Sequence, residues 1–313
     1  ESMLMANEFY ALGIGEEIIY PTTGTSGSGL GDLLDEVIQK FPDEGERDPD
    51  EGIPKLAILG RPNVGKSSFL NALIGKERSI VTDEAGTTRD AIHTRYQLYG
   101  KDYILTDTAG IRKKAKVKED IEFYSVMRSL RTLEDSDVII IMVDATRGLE
   151  AQEVNLISLS IKNNKGLMIM VNKWDLVEKD HKTMQKFKDN MTEKLGENKW
   201  IPIIFISALT KQRIYQAMEL AMNVYDNKHR KVPTSKLNEL LLPEIEKYPP
   251  PANKGKYIKI KYITQLPTKN PVFAFFCNLP QYIKSPYTRF LENRLRENFD
   301  FTGVPVKITY KKK

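Results

Sequence analysis

The sequence predicts an α/β architecture, a parallel sheet with helices on both faces, followed by a smaller α+β domain. Three observations predict it. From residue 55 to about residue 224, short apolar runs alternate with helical patterns, as a parallel sheet with covering helices demands. The stretch Gly60-Arg61-Pro62-Asn63-Val64-Gly65-Lys66-Ser67 matches the phosphate-binding pattern G-x-x-x-x-G-K-[ST] without a gap. It lies between a strand-like run, Lys55 to Leu59, and a helical one, Ser68 to Ile74. Past Pro233 the order of elements becomes helix, strand, strand, helix, strand.

Length and composition bound the rest. A chain of 313 residues is long for one compact core and suggests two or three domains. No apolar run approaches the roughly 20 residues that span a bilayer, and no signal peptide pattern is present. No membrane span is therefore expected. Cys277 is the single cysteine, which fits a reducing cytoplasm, and with three histidines it argues against a structural zinc site. The net charge of +5 hides an asymmetry. Residues 1–52 carry 13 acidic against 2 basic side chains, and residues 228–313 carry 18 basic against 6 acidic. A basic end of this size attracts nucleic acid; the plain alternative is a solvated lysine-rich surface.

Taken in order, Met3 to Leu12 reads as a short helix stopped by Gly13 and Gly15, and Glu17 to Pro21 as a strand. A Gly/Ser/Thr loop over 22–31 leads into a helix over Asp32 to Ile38. The same plan returns at Ile203–Ile206, Ser207–Thr210 and a helix from Ile214 to Val224, in gapless register with Thr23 under Ser207 and Leu30 under Ile214. That repeat suggests a duplicated domain whose first copy is mostly absent from these residues. Residues 43–52 are an acidic, Pro- and Gly-containing stretch that reads as an exposed linker.

In the phosphate loop, glycines let the backbone N–H groups of Asn63, Val64, Gly65, Ser67 and Ser68 curl around phosphate oxygens at a helix N-terminus. Lys66 is expected to reach the β and γ phosphates, and the Ser67 hydroxyl to ligate Mg²⁺. Thr87 and Thr88 lie in a polar stretch, Thr82 to Asp90, where a threonine places its hydroxyl on Mg²⁺ and its N–H on the γ-phosphate; Thr88 is the expected Mg²⁺ ligand. Asp107 follows the run Ile104-Leu105-Thr106 and suits Mg²⁺ held through water, while Gly110 can donate its N–H to the γ-phosphate. Two fully apolar runs, Val138–Val143 and Leu167–Val171, read as buried strands. The second delivers Asn172-Lys173-Trp174-Asp175 to the carboxyl edge of the sheet, where ligands bind in such folds. A carboxylate at Asp175 accepts from guanine N1–H and the exocyclic amine, which adenine lacks, so rejection of adenine can be large. Ser207, Ala208 and Leu209 would close that pocket, with a backbone N–H to the guanine oxygen. Each piece alone is weak, since an isolated D-x-x-G is more often a turn; five in the right order are not.

Gly60–Ser67, Thr87/Thr88, Asp107–Gly110, Asn172–Asp175 and Ser207–Leu209 resemble the five motifs of the translation-factor-related GTPases, whose fold is the P-loop NTPase G domain. More narrowly, Gly86-Thr87-Thr88-Arg89-Asp90, Asp107 to Lys114 and Phe290 to Glu297 resemble the Der (EngA) family, bacterial GTPases with two tandem G domains and a C-terminal KH-like domain. The resemblance implies that residues 1–44 are the end of a first G domain, 45–52 the linker, 53–230 a second G domain and 234–313 a KH-like domain. It implies binding of GTP and GDP with Mg²⁺, and a role in assembling the large ribosomal subunit through contacts with its precursor and its RNA. DNA is not an expected partner. Docking of the G domain on the KH-like domain is the expected intramolecular contact.

Ile111 stands where many small GTPases carry the glutamine that orients the attacking water, and its side chain cannot hydrogen-bond. Intrinsic hydrolysis is expected to be slow, because no residue in the sequence is placed as a strong base, with Lys66, Asn63, Thr88 and Gly110 as the catalytic set. The resemblance implies a potassium ion beside the phosphates, held partly by Asn63; the alternative is that Asn63 only shapes the loop through side-chain-to-backbone bonds. Arg112 to Lys118 form a basic run inside the second switch, either a plain exposed loop or a surface moved by nucleotide state. After Pro233, Thr234 or Ser235 can cap a helix that Pro243 kinks or restarts. Strands are expected at 257–263, 272–277 and 304–310, with a helix opening at Ser285-Pro286. No G-x-x-G backbone clamp is present, which places ordinary KH recognition of single strands in doubt. The alternatives to a ribosome-assembly switch are a G-domain partner in tRNA modification, and an RNA-binding module with a silent nucleotide pocket.

Overall fold

The structure is a computed structural model that describes residues 20, 22–25, 27–40, 50, 52–74, 94–98, 101–106, 132–178, 182–252 and 255–312. The expected helix at 3–12, most of the strand at 17–21 and of the acidic stretch, and the segments bearing Thr87, Thr88, Asp107, Gly110 and Ile111 lie outside these residues. Two units are distinguished, residues 1–52 and residues 53–313. In the first, α1 (Leu30–Gln39) starts after Gly29, whose φ of 78° places it in the left-handed region. Its apolar residues Leu30, Leu34, Val37 and Ile38 share one face and are exposed.

The second unit opens with β1 (Lys55–Leu59) and α2 (Lys66–Ile74), then β2 (Thr94–Leu98), β3 (Lys101–Thr106) and β4 (Val138–Asp144). It continues with α3 (Ala151–Lys162), β5 (Gly166–Asn172), α4 (Thr183–Leu195), β6 (Ile203–Phe205) and α5 (Ile214–His229). These strands form one sheet in the order β2-β3-β1-β4-β5-β6. All neighbours are parallel except β2 and β3. The expectation of a parallel sheet is refined at that edge, because the two residues joining β2 to β3 allow a hairpin and no crossover.

Every residue of β4 and β5 is buried, as a strand covered on both faces must be. Alternate side chains sort to the two faces. Ile140, Met142, Met168 and Met170 pack with Phe69 and Leu73 of α2 and Ala217 and Ala221 of α5. Ile139, Ile141, Ile169 and Val171 pack with Ile157 of α3 and Met191 and Leu195 of α4. Helix α5 begins at Ile214 as α1 begins at Leu30, the register expected for a repeat. Its residues Ile214, Met218, Ala221 and Met222 are buried against the sheet.

A second sheet follows, built from β7 (Ile260–Gln265), β8 (Val272–Cys277) and β9 (Lys307–Lys312) in that order, with β8 and β9 parallel. One face is covered by α6 (Thr234–Lys247) and α7 (Ser285–Asn298), whose Leu237, Leu241, Leu291 and Leu295 meet Phe273 and Phe275. Helix α6 runs through Pro243 without a restart, and Thr234 does not cap it: its hydroxyl pairs with that of Thr264, 3.2 Å away. The first and last strands start three residues later than expected, at 260 and 307.

The loop between α7 and β9 joins the two sheets. Gly303 accepts from the N–H of Leu167 at 2.7 Å and donates to the Trp200 carbonyl at 2.9 Å, so it extends the amino end of β5. Asn227 Nδ2 donates to the Thr302 carbonyl at 3.1 Å, Val304 is buried in the core under α5, and the Arg296 guanidinium lies 4.8 Å from the Trp200 ring centre. Gly303 has φ 77°, and a Cβ there would stand 2.4 Å from a Val224 methyl and 2.8 Å from the Leu167 carbonyl oxygen. Gly303→Ala should therefore lower stability by about 2–4 kcal/mol through strain and displacement of β5. Urea unfolding of the purified variant measures this.

Candidate nucleotide site

The site is assembled at the carboxyl ends of β1, β4 and β5, the edge where an open α/β sheet leaves its ligand crevice. The phosphate loop leaves β1 with Gly60 at φ 150° and returns into α2 through Gly65 at φ 104°. Both glycines are required by their neighbours. A Cβ on Gly60 would lie 2.4 Å from the Met142 carbonyl oxygen, and one on Gly65 would lie 2.1 Å from Asn172 Nδ2. Val64 turns inward and is buried, while Asn63, Ser67 and Ser68 are exposed around the loop and the first turn of α2. Asn63 takes φ 63°, a left-handed conformation that asparagine tolerates better than most residues. The Lys66 ammonium donates to the carbonyls of Gly60 at 2.7 Å and Arg61 at 2.6 Å, which lays the side chain across the loop.

Asn172 ends β5 and is fully enclosed. Its Nδ2 donates to the Val64 carbonyl at 2.9 Å, and its Oδ1 accepts from the Ala208 N–H at 2.9 Å. One amide thus ties the phosphate loop to the loop after β6. A backbone N–H of this loop is expected to reach a guanine oxygen; that of Ala208 is directed here at Asn172, and that of Ser207 binds the Gln212 carbonyl at 3.2 Å. Leu209 is exposed on the rim. Lys173 takes φ 63°, and the following Trp174 N–H donates to the Ile206 carbonyl at 3.1 Å. The Trp174 ring is held by Phe205 at 4.4 Å and Phe187 at 5.6 Å between ring centres. That anchor leaves Asp175 half-buried in a short 3-10 turn, and its carboxylate makes no ion pair or hydrogen bond among the described residues.

Sequence reasoning missed Asp144, the last residue of β4. Its Oδ2 pairs with Lys173 Nζ at 2.6 Å, and its Oδ1 accepts from the N–H and hydroxyl of Thr146 at 2.9 and 2.6 Å. Burial pushes this carboxyl up, but the hydrogen bonds from Lys173 and Thr146 outweigh burial and hold it below the ordinary carboxylate range. The available signal was an apolar strand ending in a lone acid beside the base-reading tetrad in the sheet. The structure brings together Asn63, Val64, Gly65, Lys66, Ser67, Asn172, Lys173, Asp175 and the 207–209 loop. Thr87, Thr88, Asp107 and Gly110 lie outside the described residues, so of the expected Mg²⁺ ligands only the Ser67 hydroxyl, exposed at the head of α2, is placed. A hydroxyl there, with a loop that admits no Cβ at Gly65, fits a magnesium-bound phosphate chain.

This loop, its strand and helix, and the Asn-Lys-x-Asp tetrad on the same sheet edge define a P-loop GTPase domain, with a KH-like domain behind it. A family model described as "50S ribosome-binding GTPase" matches residues 55–173, and one described as "KH-domain-like of EngA bacterial GTPase enzymes, C-terminal" matches residues 231–311. The GTPase Der of Amoebophilus asiaticus is 62% identical over 313 residues, covering all of this chain and 71% of that protein. That of Cytophaga hutchinsonii is 57% identical over 309 residues, covering 99% of this chain and 71% of the relative. The chain belongs to the GTPase Der family.

Two substitutions probe the site. Asn172→Ala strands a buried N–H and a buried carbonyl, which should weaken GDP binding about 100-fold. Asp144→Asn removes both the charge and the acceptor that face Lys173, and about a fivefold loss is expected. Because the Asp144 carboxyl is lowered, its ion pair persists down through the ordinary carboxylate range and fails only as pH falls through its own lower value. Parent and Asp144→Asn should therefore converge in affinity only once pH has fallen below the ordinary carboxylate range. Fluorescent GDP titrations at stepped pH check both statements.

Proposed function

We propose that this chain is a slowly hydrolysing, potassium-stimulated GTP switch that acts in assembly of the large ribosomal subunit. The chain is a GTP hydrolase by family, and GTP, GDP and Mg²⁺ are the ligands such a domain takes. The observation that carries the reading is Asn172, whose amide locks a phosphate loop and a base-recognition loop into one pocket. Lys66 and Ser67 are the residues for the phosphates and metal, and Asp175, with Lys173 beneath the base, is the guanine reader. Thr88 and Gly110 are assigned to the γ-phosphate and Asp107 to the magnesium shell. Residues 53–230 serve as the G domain and 234–313 as the KH-like domain.

The potassium role rests on Asn63. Its side chain is exposed and makes no hydrogen bond among the described residues. An exposed amide without such a bond favours the cation reading over loop shaping, and a monovalent cation held by it would place positive charge near the bridging phosphate oxygen. The matched family model is described as ribosome-binding. The KH-like domain contributes most of an 18-to-6 excess of basic over acidic side chains in residues 228–313, as binding to phosphate-rich RNA requires. Among the described residues no helix is long and apolar enough to cross a membrane.

Single-turnover GTP hydrolysis should run about tenfold faster in KCl than in NaCl at equal ionic strength, and Asn63→Ala should erase the difference. Equal rates in both salts reject the potassium role. Co-sedimentation with large-subunit particles in the GTP-bound state, lost in high salt, is the expected partner result. Absence of any co-sedimentation, with hydrolysis intact, rejects the ribosomal one.

A further inference from the structure

Arg61, the second residue of the phosphate loop, is buried, and its guanidinium points away from the nucleotide crevice into the start of α3. Its Nε donates to Glu153 Oε1 at 2.5 Å, one terminal nitrogen donates to the Gly148 carbonyl at 3.3 Å, and the other meets the Glu150 carboxylate. Glu153 is wholly enclosed, at 0% exposure. Its second oxygen accepts from the Glu150 N–H at 3.1 Å, completing a capping box on α3. Enclosing two full charges is costly, and an apolar pair of similar volume often serves stability as well or better. What the ion pair supplies that an apolar pair cannot is direction: a planar fork with fixed donors.

The position so directed is the Arg61 backbone. Its carbonyl is one of the two acceptors of the Lys66 ammonium, at 2.6 Å. A hydrogen-bonded line therefore runs from the buried Glu153 carboxylate through the Arg61 guanidinium and main chain to Lys66. We propose that Glu153 is a positioning residue for GTP hydrolysis, setting through Arg61 where the Lys66 ammonium meets the β and γ phosphates. The proposal rests on the assignment of Lys66 to the phosphates. It predicts an effect concentrated in the chemical step, because misplacing a charge by a fraction of an ångström weakens the transition state more than ground-state binding.

The test compares the parent chain with Glu153→Gln and with the double variant Arg61→Met/Glu153→Gln, which leaves no unpaired buried charge and keeps an acceptor for the Glu150 N–H. Melting temperature, GDP affinity and single-turnover GTP hydrolysis are measured on each. The double variant should melt close to the parent and bind GDP within about threefold, yet hydrolyse about tenfold more slowly; Glu153→Gln alone, which keeps an acceptor for Arg61, should fall between. Parent rates in both variants overturn the proposal, as does a rate loss that only follows a parallel loss of GDP affinity or melting temperature. Should Glu153→Gln fail to fold, the double variant decides alone. Lys66→Ala separates the underlying assignment: it should abolish nucleotide binding, and unchanged GDP affinity there removes the phosphate role of Lys66 rather than the link from Glu153 to Arg61.

Discussion

The amide of Asn172 is the constraint on which the site depends. Its donor and acceptor are both used, on loops 108 and 36 residues away in sequence, and both partners are buried main-chain groups that would otherwise go unsatisfied. The same Nδ2 occupies the space that a Cβ on residue 65 would need, so the glycine that closes the phosphate loop is required by the base-reading strand as much as by the phosphates. A single side chain at the end of β5 thus makes two motifs, far apart in sequence, into one rigid cradle. Rigidity matters because a pocket that must reject adenine cannot relax around it.

The other end of β5 has a different task. Leu167, five residues before Asn172, pairs with Gly303 of the C-terminal domain, and at about 3.3 Å per strand residue the two contacts stand roughly 17 Å apart. Beside it, Lys228 of α5 is enclosed and pairs with Asp137 at 3.0 Å. Burial raises the Asp137 carboxyl, but attraction to Lys228 and hydrogen bonds from Lys228 and the Lys55 N–H outweigh it and leave the carboxyl lowered. The KH-like domain is therefore fastened at the amino end of β5, opposite the end that carries Asn172.

Much of this was legible in the sequence, for identifiable reasons. Gly60 to Ser67 carries its own geometry, since spacing, glycines and flanking periodicity all constrain the same eight residues. The all-apolar runs at 138–143 and 167–171 could only be covered strands. What stayed hidden were relations between distant residues. Nothing local to Asn172 says that its amide will hold Val64, and nothing local to Asp144 says that Lys173 will fold back onto it. Nothing local to Gly303 says that it will stand against Val224 and Leu167. The antiparallel edge at β2 was written in the short link to β3 but overridden by the parallel rhythm of the rest. Thr234 was a fair cap by propensity and lost to a tertiary partner, Thr264.

The central claim is that one preformed pocket reads guanine. Calorimetric titration of the chain with Mg·GDP and with Mg·ADP, side by side, tests it most directly. The account predicts that GDP binds at least about 100-fold more tightly than ADP, because adenine leaves the Asp175 carboxylate unpaired. Equal affinities for the two, or no measurable binding of GDP, would contradict it.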